Sequence, residues 1–228
     1  MKKIAILQSN YIPWKGYFDI IASVDEFILY DEMQFTKNDW RNRNIIKTQQ
    51  GARWLTIPVG QDIHRRICDV SLPDGPWRVK HWKALVQNYS LASCFRETAA
   101  WLAPLYSETQ TTLSALNRRF IEEICRVLGI RTVIRDSSEY TLGEGKTERL
   151  VNLCRQAGAS EYISGPAAKG YLDERLFADQ DIRVTWMDYA NYPEYPQLWG
   201  PFIHQVSILD LLFNCGADAP RSMRHARP

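Results

Sequence analysis

Apolar positions along the chain first fall into short unbroken runs, then into helical stripes, then into an alternation of the two. The run KIAIL (Lys3 to Leu7) gives way at once to polar residues, the pattern of a buried strand. GYFDIIAS (Gly16 to Ser23) predicts a short helix and EFILYD (Glu26 to Asp31) a second strand. WLTIPV (Trp54 to Val59) predicts a third, with Pro58 marking an edge or a strand end. Helical spacing takes over in WRVKHWKALVQNY (77–89) and in TAAWLAPLYSE (98–108), the second expected to break at Pro104. It is clearest where Leu113, Leu116, Phe120, Ile121, Ile124, Val127 and Leu128 recur, with Gly129 placed as a stop. Strands at 131–135, 161–165 and 182–189 then alternate with helices at 147–159, 173–179 and 206–214, the last closed by Gly216. This rhythm predicts an α/β fold: a mostly parallel, Rossmann-like sheet flanked by helices, with a helical insertion near residues 60–110. One domain is expected over 1–217. A flexible basic tail is expected over 218–228, which has no periodicity.

In such sheets ligands sit beyond the carboxyl ends of the strands. The first of those ends carries LQSNYIPWKGYF (Leu7 to Phe18), crowded with amides and aromatic rings. Asp31 follows the second strand, Ser137-Ser138-Glu139 the fourth, Gly165-Pro166 and Lys169 the fifth, and Asp188-Tyr189 the sixth. These clusters are expected to converge on one rim.

Each cluster has a functional reading and a plain one. Gln8 and Asn10 can both donate and accept, Tyr11 and Trp14 offer flat faces, and Lys15 can meet a phosphate as a point charge. Gly16 would allow close approach at a helix start. The plain reading is a turn in which Trp14 and Phe18 cover the sheet, but a turn does not require so many hydrogen-bonding side chains. In the stretch from Arg41 to Lys47, Arg41, Asn42, Arg43, Asn44 and Lys47 suit a pyrophosphate or carboxylate, or else a solvated loop. Lys80 and His81 stand between Trp77 and Trp82. His81 is the best-placed acid–base candidate, although a packed histidine is the commoner case. Asn117 shares a helical face with Leu113 and Phe120 and needs buried partners. Ser137 and Ser138 read as a helix cap with one hydroxyl to spare. Lys169 lies in a glycine-containing loop, SGPAAKGYLD, that has no nucleotide-binding spacing.

Composition removes several classes. A net charge of +2 over 228 residues gives no footprint for nucleic acid, and no apolar run is long enough to cross a bilayer. Cys68, Cys94, Cys125, Cys154 and Cys215 are scattered and odd in number, and the four histidines lack metal-ligand spacing. A cytoplasmic protein with no structural metal is expected.

The strings QSNYIPWKGYFDII, DEMQFTKNDWRNRNIIK, WLTIPV, KHW, LGI with SSE, RLVNLCRQAGASEYISG and SILDLLFNCG, in this order, resemble the WbqC-like family. The resemblance covers about Ile4 to Gly216. It falls on Gln8, Asn10, Tyr11, Pro13, Trp14, Gly16, Tyr17, Asp31, Gln34, Phe35, Arg43, Asn44, Lys47, Lys80-His81-Trp82, Asn117, Ser137-Ser138 and Gly165. The family often has proline where this chain has Ser9 and His204. The resemblance implies a setting in bacterial polysaccharide and O-antigen clusters, and so a transferase working on glycan precursors. The first expectation is N-acylation or aminoacylation of a nucleotide-linked amino sugar from an acyl-carrier or other activated donor. His81 or Asp31 would take the proton, and Asn10, Asn44 and Lys47 would hold the oxyanion or phosphates. A second expectation is a nucleotidyltransferase using ATP or CTP with a divalent metal. The strand, turn and helix around PWKGYF resemble that class, but Trp14 and Tyr17 stand where its histidines would be. A third is a sugar-nucleotide binding protein without turnover.

Overall fold

Ile4, Ala5 and Ile6 are buried on both faces of strand β1 (Lys3–Leu7), which accounts for their unbroken apolar run. In the computed structural model, which describes residues 1–226, β1 is the centre of a five-stranded, all-parallel sheet. It pairs with β2 (Glu26–Leu29) on one side, Leu7 opposite Leu29, and β5 (Val133–Asp136) lies beyond β2. On the other side it pairs with β6 (Glu161–Ser164), Ile4 opposite Tyr162, and β7 (Arg183–Trp186) lies beyond β6. The order β5-β2-β1-β6-β7 means that the chain builds outward in one direction, then returns to the centre and builds in the other. The reversal falls between β1 and β6.

Two apolar layers cover the sheet. The larger gathers α1 (Lys15–Ala22), α4 (Leu113–Val127) and α7 (Ile208–Cys215) around Phe18, Phe27, Phe120, Ile121 and Leu212. The smaller lies under α5 (Thr147–Gln156) and α6 (Glu174–Ala178), where Tyr162 stacks on Phe177. Helix α4 buries the predicted stripe, and its start is capped by Thr112, whose hydroxyl accepts from the Ala115 N–H at 3.2 Å.

The third predicted strand is corrected by the structure. WLTIPV contributes to a separate antiparallel hairpin, β3 (Arg43–Thr48) with β4 (Gly51–Thr56), outside the parallel sheet. Strand β3 escapes the hydrophobic pattern because its buried positions include Asn44, Lys47 and Thr48. The insertion therefore starts with this hairpin and continues through α2 (Trp77–Tyr89) and α3 (Phe95–Ser107), earlier than residue 60. Pro104 does not break α3, because it sits in the last turn, where its missing N–H deprives only one carbonyl.

The expected flexible tail is also corrected. Gly216–Ser222 forms a 3₁₀ helix, and the N–H groups of Arg224, His225 and Ala226 all donate to the buried carboxylate of Asp19 in α1. Irregular chain leaves no periodic trace, yet its amides can be bound one by one. The last two residues of the expected tail lie outside the described residues.

Candidate functional site

The segment leaving β1 is held from several sides. The Ser9 N–H donates to Asp31 Oδ1 at 2.8 Å, and Ser114 donates to Asp31 Oδ2 at 2.6 Å. Asn44 Nδ2 donates to the carbonyls of Tyr11 and Ile12, each at 3.0 Å, and the Ser207 hydroxyl adds a bond to Ile12 at 2.7 Å. Ile12 has φ of 39°, a left-handed conformation that costs a β-branched residue about 1–3 kcal/mol. The bonds from Asn44 and Ser207 hold it there. The result is a turn with a fixed shape and a stored strain.

Behind the turn Tyr11 is fully buried, so it offers no face to a ligand. His81 Nε2 lies 3.2 Å from the Thr56 carbonyl, which can only accept, so this nitrogen carries the proton and Nδ1 accepts from the Tyr11 hydroxyl at 2.9 Å. Tyr106 in turn donates to Tyr11 at 2.8 Å. Burial pushes His81 down to about 4, so it is neutral near pH 7 with both nitrogens engaged.

In front of the turn a cleft of about 270 Å³ is lined by Asn10, Pro13, Trp14, Trp40, Asn44 and Gln205. Asn10 Oδ1 accepts from Arg41, which leaves its NH₂ group as the donor. Trp14 is propped edge-on by Tyr189 and Tyr192, and its ring passes over Gly16. A Cβ at Gly16 would lie 2.3 Å from that ring, so this glycine makes room for Trp14 and not for a ligand. Trp40 packs against Trp54, and the guanidinium of Arg43 lies 4.0 Å above the Trp54 ring. Both indoles are 41% exposed, so the cleft has an aromatic rim open to solvent.

A second cleft, of about 420 Å³, opens where the strand order reverses. Leu7 and Gln8 line it from β1, Ser164 and Gly165 from β6, and Lys146, Arg149 and Leu150 from the start of α5. Gln8 and Asn10 are two residues apart on the same segment, so the two clefts are at most about 7 Å apart along the chain. The segment passes from one to the other, though no lining residue is common to both.

The remaining predicted residues do not join these clefts. Lys80 and His81 line a third hollow of about 240 Å³ beside Trp77. Lys169 sits on the surface above Trp186. Ser137 is buried and donates to the Leu29 carbonyl at 3.0 Å, while Ser138 is exposed on the 3₁₀ turn after β5. Asn117 is fully buried and donates to Ser9 Oγ at 3.1 Å and to the Arg41 carbonyl at 2.9 Å. Lys47 is buried and donates to Gln197 Oε1 and the Pro201 carbonyl, both at 2.6 Å.

Lys15 behaves likewise. It donates to the Pro193 carbonyl at 3.0 Å and lies among the rings of Tyr192, Tyr195 and Phe202, 4.9, 5.1 and 5.8 Å from their centres. Lys15 and Lys47 thus pin the irregular segment 192–205 from below. Burial lowers Lys15 to about 8 from 10.5, although the charges of Asp19 and Asp210 oppose the shift. The folded protein therefore releases this proton before the unfolded chain does, and stability rises with pH between about 8 and 10.5. Replacing Lys15 by Met removes that rise. Melting temperatures compared from pH 7 to 11 should show the wild type gaining on Lys15→Met above pH 8. Parallel curves would mean that the amine is solvated.

Sequence reading missed Trp40, Gln205, Lys146 and Arg149. For the last two a signal was present: GEGKTER, two glycines and a lysine opening a helix just after a strand. Trp40 and Gln205 are brought to the cleft by the hairpin and the pinned segment, whose placement no local pattern shows.

No solved structure matches the chain. Rv1507c, an uncharacterized protein of Mycobacterium tuberculosis (strain ATCC 25618 / H37Rv), is similar to it at 58% identity over 230 aligned residues, covering 100% of both chains. The match to a described family runs over residues 8–222 and takes in the aromatic cleft, the hairpin, the pinned segment and all of the second cleft's lining but Ile6 and Leu7, so the chain belongs to the WbqC-like protein family.

Proposed function

We propose that the protein is a transferase of polysaccharide-precursor synthesis that acylates or aminoacylates the amino group of a nucleotide-linked amino sugar. The observation that carries this reading is the cleft in front of the strained turn. It combines a rigidly aimed amide donor, Asn10, with tryptophan faces of the kind that pack on the C–H side of a sugar ring. The sugar amine attacks the acyl carbon and forms the C–N bond. The carbonyl oxygen becomes an oxyanion, held by the Asn10 NH₂ and the Gln205 amide. Collapse breaks the bond to the donor's leaving group, which departs with the electron pair, and the amine proton passes to that group or to water. His81 and Asp31 are given no part as bases in this reading, because neither lines the cleft.

Nucleotidyl transfer from ATP or CTP is the second reading, favoured by the single reversal in the strand order. Against it, Tyr17 donates to the Gln8 carbonyl at 3.0 Å and Trp14 covers Gly16, which fills the positions of the histidines that chemistry uses.

A thermal-shift panel separates these readings: dTDP-, UDP- and GDP-linked amino sugars, the parent nucleotides, and ATP with magnesium. A ligand at about 100 times its dissociation constant adds about 2.7 kcal/mol, or roughly 5–10 °C in a domain of this size. The proposal expects one amino-sugar nucleotide to exceed its parent nucleotide, and that compound to be N-acylated when activated donors are added. A shift with ATP and magnesium alone favours nucleotidyl transfer. Tight binding without turnover leaves a binding protein.

A further inference from the structure

We infer that the cleft at the reversal of the strand order is a nucleoside-diphosphate site, with Lys146 and Arg149 as its phosphate-binding residues. This goes beyond the transferase reading and does not depend on it, since the chemistry is the same whether the nucleotide is free or carries a sugar.

The lining falls into two parts. Tyr30, Met33, Tyr162 and Tyr171 make an apolar, ring-rich wall suited to a base. Opposite the strand ends, Lys146 and Arg149 are, among the described residues, the only charged ones that line the cleft, and no carboxylate among them does. Neither cation takes part in an ion pair among the described residues. Arg149 Nε donates to the Gly143 carbonyl at 3.1 Å, and the guanidinium also reaches the Tyr30 hydroxyl, with further N–H donors to spare. Its hydrogen bond and its charge there both oppose the upward push of burial on Tyr30. The cation therefore overhangs the ring-rich wall.

The loop before these residues turns through Gly143 and Gly145, with φ of 70° and 82°, and the room at Gly145 is taken by the Glu148 carboxylate, 2.2 Å from where a Cβ would lie. Folded against Gly145, Glu148 stays out of the cleft lining. Helix α5 begins at Thr147 with no side chain capping its first turn, and Glu148 is the acidic residue of that turn. The crevice beyond the carboxyl ends of β1 and β6, at the reversal, is where open parallel sheets bind their ligands. The two cations and the position of the cleft point to the same ligand.

Calorimetric titration of the full chain with UDP, dTDP, GDP, ADP and inorganic pyrophosphate tests the assignment. At least one nucleoside diphosphate should bind more tightly than pyrophosphate, which lacks the base. Arg149→Gln and Lys146→Gln, both at the solvent edge, should each weaken that nucleotide by about 10- to 100-fold, the loss of one charge-assisted contact. Arg149→Lys should recover only part, because a point charge cannot form a fork. Trp14→Ala, in the other cleft, should leave the affinity for the free nucleotide within about threefold. The inference is overturned if no nucleotide binds at millimolar concentration. Equal binding to folded Arg149→Gln and Lys146→Gln would overturn it too, as would loss on Trp14→Ala with these two variants intact. Failure of acyl transfer alone would bear on the transferase reading and leave these affinities unaltered.

Discussion

Asn10→Ala is expected to lower kcat for acyl transfer by about 10²–10³-fold, the usual effect of removing one oxyanion donor from a preorganised site. Substrate binding should change much less, because the oxyanion exists only after attack and the proposed nucleotide site lies in the other cleft. The alanine variant also strips Arg41 of one partner, leaving it Asp39 at 3.7 Å, so a fall in rate could come from a loosened loop. Asn10→Asp separates the two causes. It keeps the acceptor for Arg41 and deletes the NH₂ donor, so it should fold like the wild type and be at least as slow as Asn10→Ala. Steady-state kinetics with melting curves for both variants gives the answer. If Asn10→Asp retains near wild-type kcat, the amide is a structural brace and the oxyanion is held by another group.

Asp210→Ala should have the largest effect on stability, a loss of about 3–5 kcal/mol and a fall in melting temperature of roughly 6–20 °C. Asp210 is fully buried in α7, and its carboxylate accepts from Tyr89 at 2.8 Å and from Tyr195 and Gln197 at 2.7 Å each. Burial pushes this carboxyl up, and these three bonds, with the charge of Lys47, pull it back. The donors come from α2 and from the pinned segment, so one residue ties the helical insertion, the hairpin and the wall of the aromatic cleft to the core. Without it the Tyr89 and Tyr195 hydroxyls lose their acceptor in a place water cannot reach easily, while Gln197 keeps the Ile203 carbonyl at 3.1 Å. Asp210→Asn, which keeps the volume and one acceptor oxygen, should cost much less. Chemical denaturation of the two variants measures the difference, and equal losses would mean that the network repacks.

The central strands β1, β2 and β6 and the long helices were legible because their apolar spacing is dictated by the faces they bury, and the edge strands β5 and β7, with no buried residue, by their place in the alternation of strands and helices. The hairpin was not, because β3 places Asn44 and Lys47 inside, and a buried polar residue reads as a loop residue until its partners are known. The same cause misled the site. Lys15, Lys47, Asp31, Asn117 and His81 carry the chemistry of ligand binding, yet the fold spends their hydrogen bonds on its own backbone and loops. Asn10, Trp14 and Gln8 were read for the position they hold, beyond the carboxyl end of β1. Position on the sheet also picked out Asp31, Ser137, Ser138 and Lys169, which line neither cleft, because a strand end can face the core or the surface as well as a crevice.

The exposed indole rim gives the protein a built-in optical report. Trp14 and Trp40 line the aromatic cleft and Trp54 backs it, whereas no tryptophan lines the cleft with Lys146 and Arg149. Exposed indoles emit at longer wavelength than buried ones, and Trp77, 4% exposed, supplies an internal reference. A sugar or acyl donor seated among Trp14 and Trp40 should shift the emission to the blue as solvent leaves the rings. A nucleotide seated at the strand reversal should leave the spectrum nearly unaltered. The unlabelled protein can therefore tell by colour which of its two clefts is filled.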